Sequence, residues 1–451
     1  MKIYPLLIIL LIFACKEKPE AQTVVEKPRV ETKKAVIADS AMVVSARAEA
    51  SKIGTEILKM GGNAFDAMIA TNMALALTYP NAGNLAGGGF MVYRTQYGEI
   101  GSLDYREKAP KAATKNMYLD KDGNVIPNKS SIGAMSVAVP GTVAGMFAAH
   151  EKFGSLPMEV ILKPVIELAK KGYIITEKEA EELEMYIPYF EEINGETILY
   201  TENLKAGDTL KNLALAYTLE RISKNGRAEF YGGETGQKLV SFLKEKGGII
   251  TLKDLEAYEA QWREPIVFKY KDLKVISMAP PSSGGICLAQ ILKMVEPFPL
   301  SEYGHNSEKY IQVLAEAERR AYADRSYYLG DPDFVNIPTD SLLSEAYFSR
   351  RMENFSFDAA TSSAEIKPGV IMGYESPETT HFSIVDSFGN AVSVTTTLNS
   401  TFGSLLFVNE LGFFLNNEMD DFSAKPGEPN VYGLVGGQAN AIAPQKRMLS
   451  S

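Results

Sequence analysis

Apolar residues recur at helical spacing in several segments of the chain, and two of these segments lie close together near its beginning. The first spans residues 45–58 and is followed by Gly61 and Gly62, which are typical of a helix stop. The second spans residues 64–77. The same spacing predicts further helices at residues 141–152, 158–171, 235–246, 285–294 and 307–328. Two packed helices therefore open the predicted fold.

Alternation of apolar and polar residues predicts strands in two places. Residues 90–94 and 102–105 form one predicted strand pair, after the glycine-rich stretch 81–89, which we interpret as a turn. Residues 381–386 and 391–397 form a second pair, joined as a β-hairpin by a short turn. Strands thus follow the first helices and return near the end of the chain.

The predicted hairpin has a consequence for two threonines. In an antiparallel hairpin centred near Phe388, the numbers of facing residues add up to a constant. Thr379 then lies opposite Thr397, to within one residue of register. We therefore expect two threonine hydroxyls to lie close together.

The first 40 residues have the pattern of an export signal followed by a tether. Lys2 precedes an apolar stretch of about a dozen residues, which is too short to span a membrane but suits a signal peptide. The stretch ends at Cys15, in a context that resembles the lipidation site of bacterial lipoproteins. Residues 16–40 are charged and lack aromatic side chains, so we expect a disordered tether. Residues 1–15 thus predict an exported lipoprotein of the bacterial cell envelope, attached to a membrane by its lipid and facing the periplasm or the cell surface.

Composition excludes several classes of function. The formal charge of −10 and the pI near 5.2 leave no broad basic surface, so nucleic acid is not an expected partner. The chain has two cysteines and three histidines, none at a metal-ligand spacing, and we expect no metal site. No dinucleotide or P-loop fingerprint is present, so no cofactor is predicted. Cys287 lies in an apolar run that we interpret as the buried start of a helix. Hydroxyls and carboxylates remain as candidate nucleophiles.

Two bases could activate Thr379. His381 lies two residues further along the predicted strand, but a histidine satisfied within a strand is the commoner outcome. Alternatively, cleavage before Thr379 would create an α-amino group with a pKa of roughly 7.7 to 8.0 beside the hydroxyl that it deprotonates. The second arrangement places nucleophile and base in one residue and requires neither histidine nor metal.

Eight short strings, in their order along the chain, resemble the gamma-glutamyltransferase (glutathione hydrolase) family of the N-terminal nucleophile hydrolase superfamily. They are GGNA at 61–64, NLAGGGFM at 84–91, DYRE at 104–107, VPGT at 139–142, PPSSGG at 280–285, AYADR at 321–325, TTHFS at 379–383 and LNNEMDDF at 415–422. The resemblance extends from about residue 41 to residue 451 and implies an α+β fold, the αββα sandwich of that superfamily.

The resemblance also implies a maturation step and a chemistry. The precursor cuts itself between Glu378 and Thr379, which gives a large-subunit region (41–378) and the start of a small catalytic subunit (379–451) that stay together. Thr379 attacks the gamma-glutamyl carbonyl, its α-amine acts as base, and Thr397 hydrogen-bonds the nucleophile. The expected substrates are glutathione and other gamma-glutamyl compounds. The acyl group passes to water or to an amino acid or peptide acceptor.

Substrate recognition follows from the charges of the gamma-glutamyl group, whose free α-carboxylate and α-ammonium need partners of opposite charge. The family pattern places Arg106, Ser450 and Ser451 on the carboxylate side, and Asn399, Glu418 and Asp421 on the ammonium side. Tyr432 resembles a lid tyrosine that closes over the site by reaching Asn399. Without the resemblance, Arg106 would be interpreted as part of a surface ion pair, and Glu418 and Asp421 as a solvated turn.

Two departures from the family pattern keep alternatives open. Glu378 replaces the Gln often found before the nucleophile, which affects the expected rate of cutting. The family continues well beyond Ser451 and carries there a Gly-Gly pair that forms the oxyanion hole, so we expect a C-terminally truncated chain and an incomplete sandwich. The alternatives are a catalytically silent, membrane-tethered fragment and a related acylase acting on beta-lactam side chains.

Overall fold

The structure, a computed structural model, describes residues 35–363, 365–366 and 380–450. Internal contacts divide the chain into Met1–Asp39 and Ser40–Ser451. Of the first unit, only residues 35–39 are described, and they form neither helix nor strand. The predicted signal peptide with Cys15, most of the tether, Glu378, Thr379 and Ser451 lie outside the described residues.

The second unit contains fourteen α-helices within its described residues, and none of them is long and apolar enough to cross a membrane. They are α1 (Ala48–Lys59), α2 (Ala64–Thr78), α3 (Thr142–Phe153), α4 (Met158–Lys171), α5 (Glu177–Asn194), α6 (Leu213–Asn225), α7 (Arg227–Tyr231), α8 (Glu234–Glu245), α9 (Leu252–Glu256), α10 (Gly284–Val295), α11 (Leu300–Tyr303), α12 (Glu308–Tyr328), α13 (Thr339–Leu342) and α14 (Glu345–Arg351). All seven helices predicted from the sequence are present, with ends that differ by at most three residues.

Twelve strands accompany these helices in the described residues. They are β1 (Met42–Val44), β2 (Gly88–Arg94), β3 (Ile100–Asp104), β4 (Tyr173–Ile174), β5 (Thr209–Leu210), β6 (Gln261–Arg263), β7 (Ile266–Tyr270), β8 (Leu273–Ser277), β9 (Thr380–Val385), β10 (Ala391–Thr397), β11 (Phe407–Val408) and β12 (Phe413–Phe414). Six of them form one sheet in the order β1-β9-β10-β2-β3-β6, and the others form two-stranded pieces. The mixture of helices with an antiparallel sheet confirms the predicted α+β class.

The predicted hairpin is β9–β10, and it lies in the middle of the six-stranded sheet, between β1 and β2. Its register pairs Val392 with Ile384 and Thr396 with Thr380, so the facing numbers add up to 776. This is the sum that a turn centred on Phe388 predicts. Because β1 and β2 belong to the early part of the chain, hydrogen bonds of the sheet join that part to the hairpin on both sides.

Helix α2 explains why one face of the hairpin is apolar. Every residue of α2 is buried, and the helix packs against β9 and β10. Its first turn is fixed by Asn63, whose side-chain oxygen accepts hydrogen bonds from the backbone N–H groups of Phe65 and Asp66. Asp386, the residue after β9, accepts a further hydrogen bond from Ala64 N at 2.9 Å. The apolar face of the hairpin, which includes Phe382, is thus held against the helix layer, and the opposite face is free to line a site.

The glycine-rich stretch is only partly a turn. Strand β2 begins at Gly88, which faces Thr397 across the sheet, so the interpretation of residues 81–89 as an irregular turn was wrong at its last two residues. Close packing is the physical reason for glycine here. A Cβ atom at Gly88 would lie 2.3 Å from Glu107 Oε2, and one at Gly89 would lie 2.2 Å from Thr395 O.

We expect Gly88→Ala to lower the free energy of unfolding by about 1–3 kcal/mol, because the added methyl group overpacks a buried contact. Gly232→Ala is the matched control, since the nearest atom to a Cβ there is 3.6 Å away. Denaturant unfolding of both variants measures the difference. Equal stability of the two variants would contradict the packing argument.

Candidate active site

A cavity of about 310 Å³ lies between the polar face of the hairpin and the segment that joins β8 to α10. Its described lining residues are Gly89, Phe90, Val92, Arg106, Ile276, Ser277, Met278, Ser282, Gly284, His381, Ser393, Thr395, Thr397, Asn399, Asp421 and Ser450. Five of the predicted site residues are among them: Arg106, Thr397, Asn399, Asp421 and Ser450. Residues from distant parts of the sequence thus meet at one surface.

Thr397 ends β10 on the cavity side. Its Oγ1 accepts a hydrogen bond from Asn399 N at 2.8 Å, so its own hydrogen can be donated to another group. Asn399 is buried, has a φ of +76°, and its Nδ2 donates to Asn417 O at 3.1 Å. A left-handed backbone is uncommon for residues other than glycine and often occurs at functional sites. The bend after β10 thus directs Thr397 and Asn399 into the same cavity.

The turn Glu418–Asp421 is held in place by the side chain of Asn416, two residues before it. Asn416 Nδ2 donates to Ala86 O and Ala138 O at 2.8 and 2.9 Å, and Asn416 Oδ1 accepts from Glu418 N at 3.0 Å. This side chain therefore connects the turn to the segment before β2. Such a buried, fully bonded amide holds the acidic residues in place.

Arg106 forms the centre of a buried charged cluster. Its Nη1 lies 2.8 Å from Glu418 Oε2, and its Nη2 donates to Asp421 Oδ2. Arg106 is 2% exposed and Glu418 is fully buried, so the interpretations as a surface ion pair and a solvated turn were wrong. Buried charges must be paired, and here Arg106 is paired with two acids that lie more than 300 residues further along the chain.

Burial also changes the proton affinity of the acids in this cluster. It raises the pKa of Glu418 well above its usual value, while the positive charge of Arg106 opposes the shift. The pKa of Asp421 is raised for the same reason, and the charges of Arg106 and Arg325 lower it in turn. The pKa values of Glu418 and Asp421 therefore depend on the positive charges of the buried arginines beside them.

Glu107 is a site residue to which the sequence analysis gave no role, although it lies in the DYRE string. Its carboxyl contacts Gly88, the partner of Thr397, and neither of its oxygens has a hydrogen-bond partner within the described residues. Burial raises the pKa of Glu107 to about 8, against the opposing charge of Arg106. Burial thus favours the neutral form of this carboxyl, which lies beside the Gly88–Thr397 pair.

We expect Glu107 to contribute stability that is lost as the pH rises from about 4.5 to 8, because the folded state holds a proton on Glu107 that the unfolded state has released. The slope from this one group is at most about 1.4 kcal/mol per pH unit. Glu107→Gln removes the titration, so the stability of the wild type relative to that of the variant should fall as the pH rises across this range. Unfolding measured from pH 4 to 9, with the surface variant Glu192→Gln as control, tests this. A difference independent of pH would refute the assignment.

Ser450 and Tyr432 each make a hydrogen bond near the residues that line the cavity. Ser450 N donates to Pro281 O at 2.9 Å, in the segment before α10, and Ser450 lines the cavity. Tyr432 Oη donates to Ser400 Oγ at 3.1 Å, next to Asn399. The loop that carries Tyr432 is therefore connected to the bend after β10 through Ser400, and the lid contact with Asn399 stays a prediction.

His381 lines the same cavity, on the face shared with Thr395. Its Nδ1 lies 2.9 Å from Thr395 Oγ1, and its Nε2 lies 3.1 Å from Ser393 Oγ and 3.3 Å from Ser383 Oγ. Burial lowers the pKa of His381, so the ring is neutral at pH 7. Both ring nitrogens are thus satisfied by hydroxyls, as expected for a histidine held within a strand.

Cys287 is a core residue, as predicted. It is buried in α10, and burial raises the pKa of its thiol to about 12, so it carries no thiolate. Within residues 35–363, 365–366 and 380–450, no group of three or more His, Cys, Asp or Glu side chains is arranged to hold a metal ion.

Comparison with known proteins agrees with this arrangement. The family model described as Gamma-glutamyltranspeptidase matches residues 50–451. A glutathione hydrolase proenzyme of Escherichia coli is 48% identical over 422 residues, which are 92% of this chain and 72% of the relative. The crystal structure of Helicobacter pylori gamma-glutamyltranspeptidase has a TM-score of 0.72 at 42% identity, over 76% of this chain and 100% of that chain.

The likeness to acylases is more distant. The crystal structure of a cephalosporin acylase from Bacillus halodurans has a TM-score of 0.79 at 24% identity, over 94% of this chain and 76% of that chain. At that identity the likeness shows the shared fold alone. Sequence and structure therefore agree on one assignment: the chain belongs to the gamma-glutamyltranspeptidase family of enzymes, within the N-terminal nucleophile hydrolases.

Proposed function

We propose that this protein cleaves the gamma-glutamyl bond of glutathione and of other gamma-glutamyl amides, and passes the acyl group to water or to an amine. The observation that carries the proposal is the buried cluster of Arg106, Glu418 and Asp421 at one end of a cavity that Thr397 also lines. An acyl donor with an α-ammonium and an α-carboxylate offers one charge of each sign to this cluster.

Thr379 is the proposed nucleophile, although it lies outside the described residues. The observed register supports this role, because it ends with Thr380 opposite Thr396, next to Thr397, and Thr379 is the preceding residue of the chain. After cleavage at the Glu378–Thr379 bond, the new α-amine takes the proton of the Thr379 hydroxyl as its oxygen attacks the gamma-carbonyl. The amine leaving group carries that proton away. Water or an acceptor amine then attacks the resulting ester and releases Thr379.

The other end of the cavity suits the leaving group and the acceptor. Ser393 lies four residues before Thr397 on the same face of β10, about 13 Å along the strand. Val92 and Ile276 also line the cavity, and Arg106 and Asp421 are the formally charged groups among its described lining residues. We therefore propose that neutral amino acids or peptides are the preferred acceptors, because no lining charge would offset a charged side chain there.

A set of matched anilides tests the proposed donor. We expect release of nitroaniline from gamma-glutamyl p-nitroanilide, and at least about 100-fold less from glutaryl p-nitroanilide, which lacks only the α-ammonium that Glu418 and Asp421 would bind. A neutral amino acid added to the assay should increase the rate. Preference for the glutaryl compound would indicate an acylase. Absence of turnover with every anilide would support a catalytically silent protein and refute the proposal.

We further propose that the protein is an exported lipoprotein, attached to a bacterial membrane through Cys15. The support is the sequence pattern of residues 1–15, which lie outside the described residues. Cys15→Ala is expected to abolish labelling by a radioactive fatty acid and to move the protein out of the membrane fraction. Cys287→Ala is the matched control, because that cysteine is buried in the core. Unchanged labelling of Cys15→Ala would refute the anchor.

A further inference from the structure

A buried arginine behind the charged cluster has no role in the function proposed so far. Arg325 belongs to α12 and comes from the AYADR string that the sequence comparison singled out. It is 4% exposed. Its Nε has no hydrogen-bond partner within the described residues, and no ion pair joins it to a carboxylate among them. Other buried arginines differ from it: Arg106, Arg320 and Arg447 are each paired with a carboxylate.

The contacts of Arg325 lead to the cavity. Its Nη2 donates to the backbone oxygen of Ser450 at 2.9 Å, and Ser450 lines the cavity. Its charge also acts on Asp421, the acid that accepts a hydrogen bond from Arg106. Arg325 is thus a positively charged group behind two residues of the site, held on the rigid scaffold of a long helix.

The charges around Arg106 explain why a second cation such as Arg325 is needed for an α-carboxylate to bind there. Arg106 already faces two carboxylates, those of Glu418 and Asp421, so it has little unbalanced positive charge left for a third. An α-carboxylate that enters beside it would meet repulsion from both acids. A second buried cation nearby offsets that repulsion, and an unpaired buried cation is itself stabilised when an anion arrives.

We propose that Arg325 is a positioning residue of the carboxylate end of the cavity, which holds the Ser450 backbone and supplies the positive charge that lets an α-carboxylate bind beside Arg106. This inference rests on the proposed gamma-glutamyl donor. It predicts that Arg325 contributes to the binding of the donor, through the α-carboxylate alone, and leaves the chemical step almost unchanged.

Two anilides that differ only in the α-carboxylate test the proposal: gamma-glutamyl p-nitroanilide and 4-aminobutyryl p-nitroanilide. For Arg325→Met we expect the KM of the first to rise at least tenfold with kcat within about threefold, and kcat/KM of the second to change less than twofold. Arg325→Lys, which keeps the charge, should recover part of the loss. Arg320→Lys is the matched control, a buried arginine on the same helix that pairs with Glu316, and it should leave both substrates unchanged.

The outcomes separate this inference from the proposed function. Equal loss on both substrates, or no loss on either, would overturn the role of Arg325. If Arg325→Met does not fold, the same comparison is made with Arg325→Lys, and inhibition by L-glutamate against 4-aminobutyrate gives the binding difference without turnover. A wild-type protein that does not release nitroaniline from the gamma-glutamyl compound would instead refute the proposed function.

Discussion

Thr379→Ala is expected to abolish both self-cleavage and turnover, with kcat/KM reduced by at least about 10⁴-fold. The reason is that the proposed nucleophile and its base belong to the same residue, so one substitution removes the attacking hydroxyl and prevents the cut that creates the amine. The measurement combines gel electrophoresis of the purified protein with nitroaniline release from gamma-glutamyl p-nitroanilide.

The neighbouring threonine provides a matched control for this experiment. Thr380 is buried and faces Thr396 in the sheet, so Thr380→Ala removes a similar side chain without touching the proposed nucleophile. We expect that variant to be cut and to remain active, with a modest loss of stability. Thr379→Ser keeps a hydroxyl and should retain part of the activity. Turnover by Thr379→Ala close to that of wild type would contradict the mechanism.

Arg106→Met is expected to reduce kcat/KM for the gamma-glutamyl donor by about 100-fold or more, because it removes the guanidinium that faces the substrate carboxylate. It should also lower the free energy of unfolding by about 3–5 kcal/mol, because Glu418 and Asp421 lose their partner in a buried position. Arg94→Met, on the exposed end of β2, is the control and should change stability by less than about 0.5 kcal/mol.

The stability of Arg106→Met should also depend on pH in a defined direction. Burial raises the folded-state pKa of Glu418 and Asp421, and Arg106 lowers it, so the variant raises both values further. An acid with a raised folded-state pKa stabilises the protein at low pH, and this stability is lost as the pH rises above the unfolded-state pKa of about 4. The stability gap between wild type and variant should therefore widen from pH 4 to pH 8. A gap independent of pH would show that the two acids are not coupled to Arg106.

The hairpin and seven of the helices could be predicted because their signals are local. Alternation in residues 381–386 and the turn at Phe388 set the register, and the spacing in residues 158–171 gave the bounds of α4 without error. Helix α5 was missed because only Leu183, Phe190 and Asn194 are buried along its eighteen residues, so its apolar stripe is weak. Helix α6 was missed although three of its buried residues, Leu215, Leu219 and Ile222, have helical spacing.

The site could be predicted only in part, because its chemistry depends on burial created by distant segments. The residue pattern alone favoured an exposed Arg106, and only the resemblance pointed to a binding role. Glu107 and Arg325 lie within strings that were recognised, yet their burial depends on packing against Gly88 and beside Ser450, which the strings do not show. The glycines at the start of β2 were interpreted as a turn. The sequence does not show that neighbouring atoms leave no room for a side chain at these positions.

The most direct test of the account is the covalent state of the protein that turns over substrate. Intact mass spectrometry with N-terminal sequencing of active protein should find two polypeptides, one that ends at Glu378 and one that begins with Thr379. The amount of the second polypeptide should rise in parallel with activity during maturation. Full activity in a preparation whose chains all remain joined at residues 378 and 379 would contradict the central claim that a free threonine amine activates its own hydroxyl.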